Sequence, residues 1–390
     1  MSDEEKIIPV GAQSRSRPPL RGWRLAVFIA VFLVVLLIAC LVAFPQWFNL
    51  DRVQRYFRYL GKSDDEYSIS FEANSTNAYA AFGSNLAVGT EGGLYLYDLN
   101  GQHQAMVQGS LPNPTVCTSK ELALCYGTGN SYLAAVSKSG KTVLSRTVSG
   151  TLLDADLSDD GWICYAAAES GYKSVVTVLD DGQNETYKWY SSTRYISNCA
   201  VCQGGGYLAV VGLGEENGAF RSTLTVLKTD SEEPVGEADL GNQMIYDLQF
   251  LGKDRICAIG QDQILFLNCQ GEVSAEYPLD NVYLSAYGFS RDGYVVLAIN
   301  AAKAGNKFSL VTLDADGSQI AELYLGREVR CLSVCDGYTG VLTDESLTVY
   351  SKNLEAYAQT SELGTTNQIL MRYDGTVFRI GSGQADLYIP

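Results

Sequence analysis

The sequence predicts an all-β fold, an eight-bladed β-propeller closed by an N-terminal strand and preceded by one transmembrane helix. Three observations predict it. A strand–turn–strand element recurs about every 42 residues, the strands left over at the two chain ends complete one blade, and a single uncharged apolar run precedes the repeats. Seven blades is the alternative count.

The chain begins with a basic segment, 1–24, read as a cytoplasmic tail. Leu25 to Phe44 then runs twenty residues without a charge. At 1.5 Å per residue such a helix spans about 30 Å, the thickness of a bilayer core. Trp23 and Trp47 flank it, where amphipathic rings favour the membrane interface. Arg15, Arg17, Arg21 and Arg24 on its N-terminal side place that end in the cytoplasm and everything after Phe44 outside. Leu37-Ile38-Ala39-Cys40 fits a bacterial lipoprotein box, but Leu41-Val42-Ala43-Phe44 continues the apolar run where a processed lipoprotein turns polar. A retained helix is the expectation, rather than a cleaved signal peptide.

A second, amphipathic helix is expected at 47–61. Leu50, Val53, Phe57 and Leu60 share one side of it, Arg52, Arg55 and Arg58 lie off that side, and Asn49 is placed as its cap. It is read either as lying on the outer leaflet or as a spacer beneath the domain.

The propeller is expected over 66–390. Its recurring element appears as YLYDLNGQ (from Tyr95), AVSKSGKT (Ala135), TVLDDGQN (Thr177), TVLKTDSE (Thr225), FLNCQGEV (Phe266), VTLDADGS (Val311) and TVYSKNLE (Thr348). The turn residues Gly101, Gly140, Gly182, Asp230, Gly271, Gly317 and Asn353 are 39, 42, 48, 41, 46 and 36 residues apart. Four strands per such period is a WD40-like propeller pattern. After the seventh unit, strands are expected at Gln368 to Tyr373, Val377 to Gly381 and Ala385 to Ile389, with Tyr67 to Phe71 as the fourth. Joining the two chain ends in one blade removes the edge that a linear array would expose.

Together NLDRVQRYFRYLG, EYSISF and NLAVGTEGGLYLYDLNGQ, following an apolar helix, resemble a domain-of-unknown-function family of Gram-positive bacteria. The resemblance implies a single-pass, membrane-anchored propeller of the cell envelope and no particular activity.

Charge narrows the partners. Up to Asp64 there are nine Lys/Arg against five Asp/Glu, whereas the rest has 19 against 39, a net of −20. Such a domain repels phosphate backbones, so nucleic acid is not a partner. The expected role is a non-enzymatic binding or scaffolding module, its partner a protein or a glycan. Binding is placed on the face made by the loops that enter the inner strands and those that join the two middle strands. Three of the latter look long, Glu169 to Lys173, Gly214 to Arg221 and Ala301 to Lys307, and would present Tyr172, Lys173, Phe220, Arg221, Lys303 and Lys307. Aromatic and Arg side chains are frequent interface anchors.

Catalytic, cofactor and metal sites are not expected. His103 is the only histidine, which excludes imidazole-rich zinc sites. Cys199 and Cys202, three apart on a strand, point to opposite faces and cannot chelate one ion. Most of the nine propeller cysteines read as small buried hydrophobes, with Cys117–Cys125 and Cys257–Cys269 as cross-strand pairs to consider. The acidic turn Asp154 to Gly161 lacks EF-hand spacing, and Gly212-Leu213-Gly214 does not open a helix as a dinucleotide loop does. The alternative is an enzyme acting on envelope polymer through the inner-strand carboxylates Asp154, Asp156 and Asp247 in the central channel.

Overall fold

The computed structural model describes residues 27–32, 35, 55, 57–60, 67–301 and 307–390. The chain divides into two units, Met1–Leu60 and Gly61–Pro390. In the first, 27–32 and 35 are helical and exposed, as are 57–58, with Arg55 helical and buried. Most of the expected membrane span at 25–44 and of the amphipathic helix at 47–61 lies outside the described residues. Among the described residues no helix is long and apolar enough to cross a membrane.

The second unit is an eight-bladed propeller of four-stranded antiparallel sheets. The inner strands of blades 1 to 8 are Ala78–Phe82, Pro114–Thr118, Leu152–Leu157, Tyr195–Val201, Ile245–Phe250, Tyr283–Ser290, Cys331–Cys335 and Gln368–Met371. Within a blade the chain steps outward strand by strand. Only blade 8 breaks that order, because its outer strand, Ser68–Ser70, comes from the other end of the ring and pairs with Gln384–Tyr388. Ile69, fully enclosed, is the side chain that anchors this strand.

Burial along the strands explains their composition. Second and third strands such as Ile163–Ala167 and Ser174–Leu179 are buried at every position, so they read as continuous apolar runs. Outer strands such as Val273–Pro278 alternate exposed and half-buried positions, because one face is solvated. The apolar core is therefore a series of layers between successive blades. Leu124, Tyr165 and Leu179 belong to the layer between blades 2 and 3, Val176, Ile196 and Val210 to the next, and Leu224, Ile256 and Leu265 to the one after.

One expected loop is instead regular structure. Gly214 to Arg221 is the end of a hairpin in which Tyr207–Glu216 pairs with Ala219–Lys228 all the way to Glu216 opposite Ala219. Asn217 and Gly218 turn the chain with φ of 56° and 78°. Two consecutive left-handed residues make the tight turn whose twist matches the strands, so the ladder continues where a loop was expected. Of the other two loops, residues 168–173 do join the middle strands of blade 3. Lys303 and its neighbours at 302–306 lie outside the described residues.

Candidate functional site

Strand direction sets the two faces of the ring. Connections into inner strands and between middle strands share one face, and the turns after first and third strands share the other. On the first face, the loop after Ile163–Ala167 ends with Tyr172 and Lys173. The Lys173 N–H donates to the Ser191 carbonyl at 2.8 Å, which draws this loop against the end of the blade's outer strand. Tyr172 then meets Tyr190 with ring centroids 4.8 Å apart. Lys173 Nζ donates to the Tyr195 hydroxyl at 3.3 Å and lies 4.7 Å from the Tyr195 ring centroid. An ammonium over an aromatic face is attracted by its quadrupole, and this holds Tyr195 in place although it is 56 % exposed.

Next to this cluster the blade 4 hairpin rises past Tyr195, whose partner Leu213 sits at its base. Phe220 is near the hairpin tip and exposed. Arg221 is held by ion pairs, its guanidinium 2.8 Å from Asp239 and 3.7 Å from Glu216. Gly212 and Gly214 have a packing role: Arg194 lies across them, and a Cβ at either position would meet its side chain at 3.0–3.1 Å. Lys307 is exposed.

Tyr190 and Tyr195 escaped the sequence reading, which weighed only the middle-strand loops. The signal for them was a Tyr at the end of an outer strand or the start of an inner one, repeated at Tyr190, Tyr195, Tyr246, Tyr283 and Tyr324. All five are exposed on this same face, and their strands carry them there.

The central channel holds the carboxylates. Asp154 accepts the Cys199 N–H at 2.8 Å and the Tyr126 hydroxyl at 2.9 Å. Asp156 accepts the Val201 N–H at 3.1 Å and Gln249 Nε2 at 3.4 Å. Asp160 accepts the Gly204 N–H at 2.7 Å. The acidic run is thus a set of pegs from blade 3 into the backbone of blade 4. Asn198, Thr118 and Ser333 bond neighbouring inner strands in a similar way. Asp247 of the blade 5 inner strand accepts the Leu248 N–H at 2.8 Å.

Asp156 and Asp159 help to line a cavity of about 280 Å³ formed by inner-strand residues from all eight blades. Arg291 of blade 6 crosses its mouth. It donates to the Thr118 carbonyl of blade 2 at 3.0 Å and lies 3.3 Å from Asp159, which Lys120 also approaches to 3.1 Å.

The channel wall surrounds the three carboxylates with protein, and this burial raises their pKa values. Asp156 is pushed up to about 7, although the Leu157 and Val201 N–H groups oppose the shift, and the charges of Asp154 and Asp247 add to it. Burial raises Asp247 to about 6 and Asp154 in the same direction. A folded value above the ordinary 3.8 means that the folded state keeps a proton the unfolded chain releases. This group's contribution to stability is therefore full below pH 3.8 and is lost as pH rises to about 7. Asp156→Asn, neutral at every pH, is expected to raise the melting temperature by about 2 °C at pH 8 and to leave it unchanged near pH 4. Scanning calorimetry at both pH values checks this, and equal shifts at both would refute it.

The cysteine pairs considered from sequence do not form. Cys117 stands opposite Leu124 and Cys125 opposite Val116, so the two point to opposite faces of blade 2. Cys257 and Cys269 lie in different inter-blade layers, as do Cys199 and Cys202. His103 opens an outer strand, its ring 4.5 Å from that of Tyr97.

No curated protein matches the chain. Among solved structures, the C-terminal WD40 domain of Sif2 superposes with a TM-score of 0.57 at 10 % identity, over 83 % of this chain and 97 % of that one. BamB from Moraxella catarrhalis gives 0.48 at 13 % identity, over 82 % and 95 %. The first likeness is one of fold. The sequence profile of the family of unknown function DUF5711 matches residues 61–372, most of the ring. The chain belongs to that family.

Proposed function

We propose that this propeller is a non-enzymatic binding or scaffolding module, held outside the cell membrane by the helix at 25–44, and that it binds an envelope protein or glycan on its aromatic face. The observation that carries this reading is the exposed, pre-ordered group Tyr172, Lys173, Tyr190 and Tyr195 beside the projecting Phe220 hairpin. Tyrosines fixed by one another and by a lysine lose little freedom on binding, which favours their use as anchors. The net charge of −20 beyond Asp64 favours neutral or basic partners and would steer basic ones.

Pull-down from envelope extract with the full chain tests it. Tyr172→Ala with Phe220→Ala is expected to reduce partner recovery about tenfold with the melting temperature unchanged, because both side chains are largely outside the core. Recovery of a basic partner should also fall between about 0.05 and 0.5 M salt as the Debye length shortens. If the double variant retains the same partners, the aromatic face is not the binding face. The anchor has its own readout: alkaline carbonate should leave the chain in the membrane pellet.

A second reading, an enzyme acting on envelope polymer, draws on Asp156 and Asp247, held near the pH range where general acids work. Against it, Asp156 is tied to the blade 4 backbone and Arg291 crosses the cavity mouth. Release of soluble fragments from envelope polymer, abolished by Asp156→Asn, would favour it.

A further inference from the structure

We propose that Cys164 and Cys199 form a disulfide that staples blade 3 to blade 4 when the chain folds in an oxidising medium. Cys164 lies in Ile163–Ala167 of blade 3 and Cys199 in the inner strand of blade 4. Both are enclosed in one apolar layer with Ala166, Val176, Ile196 and Val210. Both side chains point into that layer, Cys164 from the blade 3 side and Cys199 from the blade 4 side.

The backbone around them is already held. Cys164 stands opposite Asp156, and the neighbouring Asp154 carboxylate on that strand accepts the Cys199 N–H at 2.8 Å. Asp156 likewise accepts the Val201 N–H at 3.1 Å. The blade 4 strand is thus pinned to the sheet that carries Cys164 at Cys199 itself and at Val201, so the two cysteines enter their shared layer from strands already bonded to one another.

The chemistry balances with glutathione disulfide as the oxidant. One cysteine thiolate attacks a glutathione sulfur and displaces the first glutathione thiolate. The second cysteine thiolate then attacks the mixed disulfide and displaces the other. Two electrons pass from the cysteine pair to the glutathione disulfide, and the two thiol protons end on the two glutathione products. Burial pushes both thiols well away from the reactive thiolate form in the finished ring. Exchange therefore takes place while blades 3 and 4 are docking, and the finished bond is shielded from reductant. It would close a loop of 34 intervening residues and so restrict the unfolded chain.

The test refolds the full chain in detergent with a reduced/oxidised glutathione buffer, alkylates it and maps the peptides. A peptide joining Cys164 to Cys199 is expected, with melting about 5 °C above the same sample reduced. Cys164→Ala and Cys199→Ala should each remove both the linkage and the shift. Cys202→Ala should keep them, which settles the assignment because Cys202 shares the tryptic peptide of Cys199. A folded, oxidised sample in which Cys164 and Cys199 are both alkylated, or joined to other cysteines, overturns the proposal. If refolding fails, the same map is read on chain folded in an oxidising cell compartment. The in-vitro result depends on the geometry of the ring alone, so it stands or falls separately from the proposed location.

Discussion

Truncation after Gly364 is expected to abolish the cooperative unfolding transition of the propeller. The segment removed carries Gln368–Met371, Val377–Ile380 and Gln384–Tyr388, three of the four strands of blade 8. Ile369, Met371, Val377 and Tyr388 cover Tyr338, Leu342, Leu347 and Val349 of blade 7 in one apolar layer. Burying one such side chain contributes about 1.5–3 kcal/mol, so losing several approaches the 5–15 kcal/mol that holds a typical domain together. The cut also leaves Ser68–Ser70 without a partner and uncovers the apolar face of blade 7. Deleting 67–71 should cost less, since Ile69 is the one fully enclosed side chain of that strand. Circular dichroism melts and limited proteolysis read both variants. An unchanged melt after truncation at Gly364 would show that the ring does not depend on its eighth blade.

Arg372→Ala is expected to cost about 3–5 kcal/mol, the range for removing one partner of a buried ion pair. Arg372 is 1 % exposed, although it carries a full charge. Its Nε donates to the Gly83 carbonyl at 3.3 Å, and its Nη1 donates to Thr376 Oγ1 at 2.8 Å and lies 3.9 Å from Asp374. The guanidinium also lies 5.1 Å from the Phe378 ring centroid. Gly83 belongs to the first turn of blade 1, so this side chain bonds the last blade to the first. Alanine would leave the buried Asp374 without this cation and open a cavity the size of an arginine. Urea unfolding should show the loss as a lower midpoint. Arg372→Met combined with Asp374→Asn should recover part of it, because volume is restored and no charge is left buried. A loss below about 1 kcal/mol for Arg372→Ala would mean that water replaces the guanidinium and that closure rests on the apolar layer alone.

The elements legible in the sequence are those with a local signature. The strands expected at Gln368 to Tyr373, Val377 to Gly381 and Ala385 to Ile389 form at Gln368–Met371, Val377–Ile380 and Gln384–Tyr388, because apolar runs are separated there by turn residues that have few other uses. The closing strand followed from counting, since three strands after the seventh unit require a fourth. The Gly214 to Arg221 segment was misread because its polar residues carry a loop composition, whereas the Asn217-Gly218 pair carries the hairpin.

The sequence by itself determined that this protein is a propeller of four-stranded blades, from apolar runs and turn signals spaced about 42 residues apart, with eight blades expected and seven as the alternative; the structure has eight. It also contains an uncharged run at 25–44 of membrane-spanning length. Only the tertiary structure decided which groups meet: Tyr172 with Tyr190, Lys173 with Tyr195, Asp154 with the Cys199 N–H, Arg291 with the Thr118 carbonyl, and Cys164 in one layer with Cys199. Strand parity tells which face a residue takes, but these contacts join different strands, blades or opposite sides of the ring, up to 173 residues apart. Their distances are set by how the sheets twist and stack, and no short stretch of sequence encodes that.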